Sequence, residues 1–164
     1  MRVENSETKA PLNIMQAFQK ANDMVAESNN IEDMITAYDQ VISFCSNTAS
    51  CRNEKSTKRD TLLYWAYQNI ANAYSCKKMP EAAYLYFEKA LATAETDRQK
   101  STVLEKMLDV VGKENLQVAD KCRKILSLTN QLTNIYSKNP DNSDLRRIRT
   151  LAEKTLELLK KSGN

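Results

Sequence analysis

The segment YWAYQNIANAYSCKKMPEAAYLYFEKALATAE, Tyr64 to Glu95, decides the fold. Leu63, Tyr67, Ile70 and Tyr74 recur at steps of three and four, which places them on one helical stripe. Ala71 and Ala73 lie beside that stripe and let a second helix come close. CKKMP interrupts the pattern. Pro80 suits the first turn of a new helix, where its missing N–H is no loss, and Glu81 favours the positive end of that helix. Ala83, Phe87, Ala90 and Leu91 then share one face. Two amphipathic helices with so short a link pack as an antiparallel hairpin.

The rest of the chain is compatible with more of the same. It has 164 residues, 41% hydrophobic and 27% charged, enough for one domain with a core. Two Gly and three Pro leave too few breakers for a sandwich or barrel. The expected fold class is all-α. No run is long and apolar enough to span a membrane, and the start, MRVENSETKA, lacks the apolar core of a signal peptide. The expectation is a cytoplasmic chain.

The pattern of Tyr67, Ile70, Ala71, Tyr74, Ala83, Phe87 and Ala90 resembles the tetratricopeptide repeat. Tyr replaces Trp, Ile replaces Leu and Ala replaces Gly, and the helix-closing Pro of that motif is absent near Glu95. A second copy aligns Asn30–Ile42 on Met79–Leu91, with Met34, Tyr38 and Val41 standing for Ala83, Phe87 and Ala90. Upstream, Phe18, Ala21 and Val25 match Tyr67, Ile70 and Tyr74, although Asn22 falls where a small residue is wanted. A third copy is looser. Leu104, Met107, Leu108 and Val111 form a stripe that Gly112 would end, and a long helix from about residue 115 to 138 carries Val118, Cys122, Ile125, Thr129, Leu132 and Tyr136. The repeats run over about 12–46, 61–96 and 99–130, with a polar insertion at 45–60 and a capping helix at 143–161, Ser143 being a plausible N-cap. The resemblance implies a short right-handed superhelix of about seven helices.

Catalysis has little to stand on. There is no His to act as a general base, and two Gly cannot build a phosphate-cradling loop. Cys45, Cys51, Cys76 and Cys122 show no CxxC pair, so neither a metal nor a cofactor is expected. Cys45 and Cys51 could bridge under oxidising conditions, whereas Cys122 reads as a small core residue. The tyrosines read as packing, with Tyr84 and Tyr86 filling the contact to the next hairpin.

The resemblance implies instead a concave surface, lined by the first helix of each pair, that binds a protein or peptide. Its candidate residues are Trp65, Gln68, Asn72 and Ser75 in the second repeat, Gln16, Gln19 and Asp23 in the first, and Thr102, Glu105 and Asp109 in the third. Trp65, the one tryptophan, either anchors a partner side chain or packs on the preceding hairpin. Some family members clamp a terminal carboxylate at this surface. Asn72 fits such a clamp, but Gln68, Gln19, Asp23, Glu105 and Asp109 around it are neutral or acidic and Lys20 and Lys106 are the only nearby cations, so an uncharged or mildly basic segment is the expected partner.

The charge is uneven. Residues 1–50 carry three Lys/Arg against seven Asp/Glu, and residues 101–164 carry twelve against eight. Two alternatives follow. One is nucleic-acid binding through Lys121, Arg123, Lys124, Arg146, Arg147 and Arg149, although no aromatics interleave with them. The other is a homo-oligomer pairing the acidic and basic halves.

Overall fold

A computed structural model describes residues 14–27, 30–47, 56–138 and 143–162. They form seven helices and no strand: α1 (Ile14–Glu27), α2 (Ile31–Asn47), α3 (Ser56–Cys76), α4 (Pro80–Thr93), α5 (Asp97–Lys113), α6 (Val118–Tyr136) and α7 (Ser143–Ser162). Each helix packs against the next, as a stack of hairpins requires.

Side-chain links sort the helices into two layers. Thr61, Tyr64 and Asn72 of α3 reach Glu95 and Gln99 at the start of α5 and Lys106 within it. Glu105 of α5 reaches Arg147 of α7, and α1 touches α3. The odd-numbered helices therefore lie side by side. On the other side Asp39 of α2 meets Tyr86 of α4, and Tyr84 of α4 meets Lys124 of α6.

The alanines and aromatics of the opening segment are where the layers touch. Ala71, Ala83 and Ala90 are fully buried, and Phe87 fills the space between them. One core gathers α3 to α7, around Tyr64, Phe87, Leu104, Met107, Leu128, Leu132 and Ile148. A second gathers α1, α2 and the other side of α3, around Tyr38, Val41, Leu62, Leu63 and Ile70. Tyr67, Tyr74 and Tyr86 border both. Tyr86 stacks on Tyr74 at 5.4 Å and tilts against Tyr67 at 6.4 Å, with the Lys89 ammonium 4.4 Å above its ring. Tyr84 faces the next hairpin as expected. Tyr86 turns back toward α2, because the stripe of α3 beside it is aromatic, and its hydroxyl lies near Asp39.

Helix ends explain the joints. α3 closes with a Schellman turn, in which Met79 N–H donates to the Tyr74 carbonyl at 3.0 Å. The residue in the left-handed position there is Lys78, at φ 57°, rather than glycine. Pro80 opens α4 at its first turn, as its ring dictates. At the next joint a capping box replaces the missing proline. The Thr96 hydroxyl accepts Gln99 N–H at 3.2 Å, and the Gln99 amide oxygen accepts Thr96 N–H at 3.0 Å.

Several boundaries differ from the sequence-based expectation. Gly112 lies inside α5, and its φ is not positive. The helix stops at Glu114 instead, whose backbone turns extended while its buried carboxylate meets Lys124 at 2.9 Å. Helix also enters the polar stretch 45–60 from both sides, since Cys45 continues the buried stripe of Ala37, Tyr38 and Val41. Residues 48–55, with Cys51, lie outside the described residues, and Ser143, expected as the N-cap of the last helix, is instead the first residue of α7. The long third-pair helix is α6, shorter by a few residues than its apolar pattern suggested. Asn22, which looked out of place, accepts the Tyr38 hydroxyl at 2.8 Å. Cys122 is buried in the core as expected.

Candidate functional face

The exposed side of the odd-numbered helices is the surface in question. Its centre is Trp65, 45% exposed on α3. The indole packs edge-on against Tyr64 of its own helix, with centroids 5.1 Å apart at 75°. Tyr64 is buried and its hydroxyl reaches the Gln99 carbonyl, so the tryptophan stands on a fixed support.

Asn72, two turns on, lies on the seam with α5. Its amide oxygen accepts the Lys106 ammonium at 2.9 Å. Burial lowers the Lys106 pKa from its ordinary value. Asn69 borders the preceding hairpin, close to the Tyr38 hydroxyl. Sequence reasoning passed over it, although it stands one turn from Trp65.

Gln68 sits beneath the face rather than on it. Only 4% of it is exposed, and its amide oxygen has no donor among the described residues. The helical turn between Tyr64 and Asn72 points it toward α5. Ser75 lines a cavity of about 430 Å³ at the far end of this seam, together with Cys76, Lys78, Pro80, Val110 and Lys113.

On α1, Gln19 donates to Asp23 at 2.8 Å, and both are exposed, as is Gln16. On α5, Thr102 is exposed and its hydroxyl donates to the Arg98 carbonyl. The two α5 acids are already engaged. Asp109 pairs with Lys113 at 2.6 Å, and Glu105 accepts both the Tyr136 hydroxyl at 3.0 Å and the Arg147 guanidinium at 2.5 Å. The acidity that suggested an uncharged or basic partner is largely neutralised within the molecule.

The C-terminal cations are also mostly engaged. Lys121 donates to the Gly112 carbonyl, Arg123 pairs with Asp120, Lys124 joins Glu114 beneath the Tyr84 ring, and Arg147 holds Glu105 and Asp144. No carboxylate pairs with Arg146 or Arg149 among the described residues.

Sequence reasoning gave α7 a capping role and put Arg146, Arg147 and Arg149 in the nucleic-acid alternative, leaving it out of the protein-binding face. Its side toward α5 belongs to the same face, because Arg147 bonds to Glu105 there. The signal was present as a fourth first-helix position following three hairpins.

Among the described residues no three His, Cys, Asp or Glu side chains gather as a metal would require, and no helix is long and apolar enough to cross a membrane. No protein-family model and no curated protein matches the chain.

Proposed function

We propose that the chain is a non-catalytic interaction module, an adaptor or scaffold of the cytoplasm that takes a partner protein or peptide on its odd-helix face. The resemblance to tetratricopeptide repeats makes that face the concave one. The observation that carries the reading is Trp65: a large aromatic held half in solvent by a buried tyrosine. Aromatic anchors of this kind contribute most where a partner can exclude water around them. Further support comes from the spacing between α3 and α5. Thr61 bonds to Glu95 and Asn72 to Lys106, each pair 34 residues apart, which is the period of the family it resembles.

The nucleic-acid alternative has less support, since four of its six cations are held by acids or by a carbonyl. Binding through phosphates needs cations free to displace counterions.

The test is capture of the partner from source lysate by three immobilised proteins: the native chain, Trp65→Ala with Asn72→Ala, and Leu85→Ala on exposed α4 as a control. The reading expects the double variant to lose the partner and the control to keep it. Retention of the partner by a still-folded double variant would move the site off this face.

A further inference from the structure

We propose that the α5-facing side of α7 docks an acidic segment bearing aliphatic side chains. This rests on the reading that the odd-helix face takes a partner, and it names the chemistry of one end of that partner. Arg146, Arg147, Lys154, Ser143 and Thr150 surround Leu151 in an open cavity of about 460 Å³. Arg147 is anchored by Glu105 and Asp144, which fixes the wall of the cavity. Arg146 and Lys154 have no carboxylate partner among the described residues, so their charges face solvent. They stand eight residues apart on one helix, about 12 Å along its axis.

Apolar surface adjoins these cations. Leu158 lies one turn beyond Lys154 and is 54% exposed, and by helical spacing it shares a side with Leu151. Across the whole of α7, six Lys/Arg face three Asp/Glu. The first turn of the helix, at Ser143, adds a weak preference for anions.

This combination selects a peptide over a nucleic acid. Carboxylates spaced about 12 Å apart would meet Arg146 and Lys154, while aliphatic side chains between them cover Leu151 and Leu158. A nucleic acid would find the cations but no aromatic ring on α7 to stack its bases. The neighbouring acids of α5 do not repel such a segment, because Arg147, Tyr136 and Lys113 already hold them.

Fluorescence anisotropy with the full chain tests the proposal. The probe is a short fluorescein-labelled peptide carrying Glu and Leu on one helical face. Saturable binding is expected, weakened about tenfold, or about 1.4 kcal/mol, by Glu→Gln in the peptide or by Arg146→Glu with Lys154→Glu in the protein. Leu158→Ser should weaken it separately, with circular dichroism confirming that each variant is folded. Absence of saturable binding up to millimolar peptide overturns the proposal. So does unchanged affinity in the folded Arg146→Glu, Lys154→Glu protein, or displacement of the peptide by an equal concentration of oligouridylate. The captured partner separates the two readings. Its loss with Trp65→Ala and Asn72→Ala but not with Arg146→Glu and Lys154→Glu removes the α7 site alone. Retention by both folded variants removes both.

Discussion

Arg147 reaches from the last helix to Glu105 of α5 at 2.5 Å, and the same carboxylate oxygen accepts the Tyr136 hydroxyl. One acid thus ties three helices together. The Tyr136 pKa is pushed up to about 12, by burial first and by the Glu105 charge next. A tyrosine that holds its proton more tightly in the folded state contributes stability below pH 10. That contribution is lost as pH rises from 10 to 12, where the unfolded chain has already released the proton. Burial also raises Tyr38, Tyr64, Tyr67, Tyr84 and Tyr86, so the late phase of a spectrophotometric titration is assigned to Tyr136 by its loss in Tyr136→Phe, and Glu105→Gln should bring that phase toward the ordinary value. A late phase unchanged in Glu105→Gln would remove the Glu105 charge as a cause.

Gln68→Met should stabilise the fold by about 1 kcal/mol. The native amide oxygen is buried without a donor among the described residues, and a thioether of similar volume removes that penalty. Urea unfolding measures it as a higher midpoint at constant slope. A lower midpoint would mean that the amide oxygen has a donor after all.

Lys78→Gly should also stabilise, by about 0.5–1 kcal/mol. Lysine pays a steric penalty in the left-handed position that ends α3, and glycine does not, although glycine adds some entropy to the unfolded chain. Lys78→Val should move the midpoint the other way, since a β-branched side chain tolerates that conformation least.

Tyr38→Phe should cost about 1 kcal/mol, because the hydroxyl of α2 that donates to Asn22 of α1 is lost. A double-mutant cycle with Asn22→Ala isolates the bond, and additive single effects would show it to be energetically silent.

The hairpin in α3 and α4 was legible because Tyr67, Ile70, Ala71, Tyr74, Ala83, Phe87 and Ala90 obey helical spacing, and a turn with Pro80 separates them. The joints were less legible. Gly112 looked like a stop, but the chain stops where the Glu114 carboxylate finds Lys124, ten residues later. Thr96 and Gln99 cap α5 in a box that only the geometry makes evident, since Thr and Gln occur often at that spacing. On the odd-helix face, position alone put Gln68 beside Trp65. Whether a glutamine on that flank is covered depends on how near α5 comes, which periodicity within one helix does not encode. The same holds for Glu105 and Asp109. Their charges read as surface acidity until Arg147, Tyr136 and Lys113 are seen around them.

The border of tyrosines between the two cores has a dynamic consequence. Tyr67, Tyr74 and Tyr86 keep polar hydroxyls where leucines would have fused the cores into one unit. In a linear array each layer depends mainly on its neighbour. Opening is therefore expected to begin at the N-terminal side, with α1 and α2 detaching from the smaller core while α4, α5 and α6 remain closed. Hydrogen exchange should register this as faster amide turnover in α1 and α2 than in α5, well below the global unfolding threshold. Equal protection across all seven helices would mean that the chain melts as a single block.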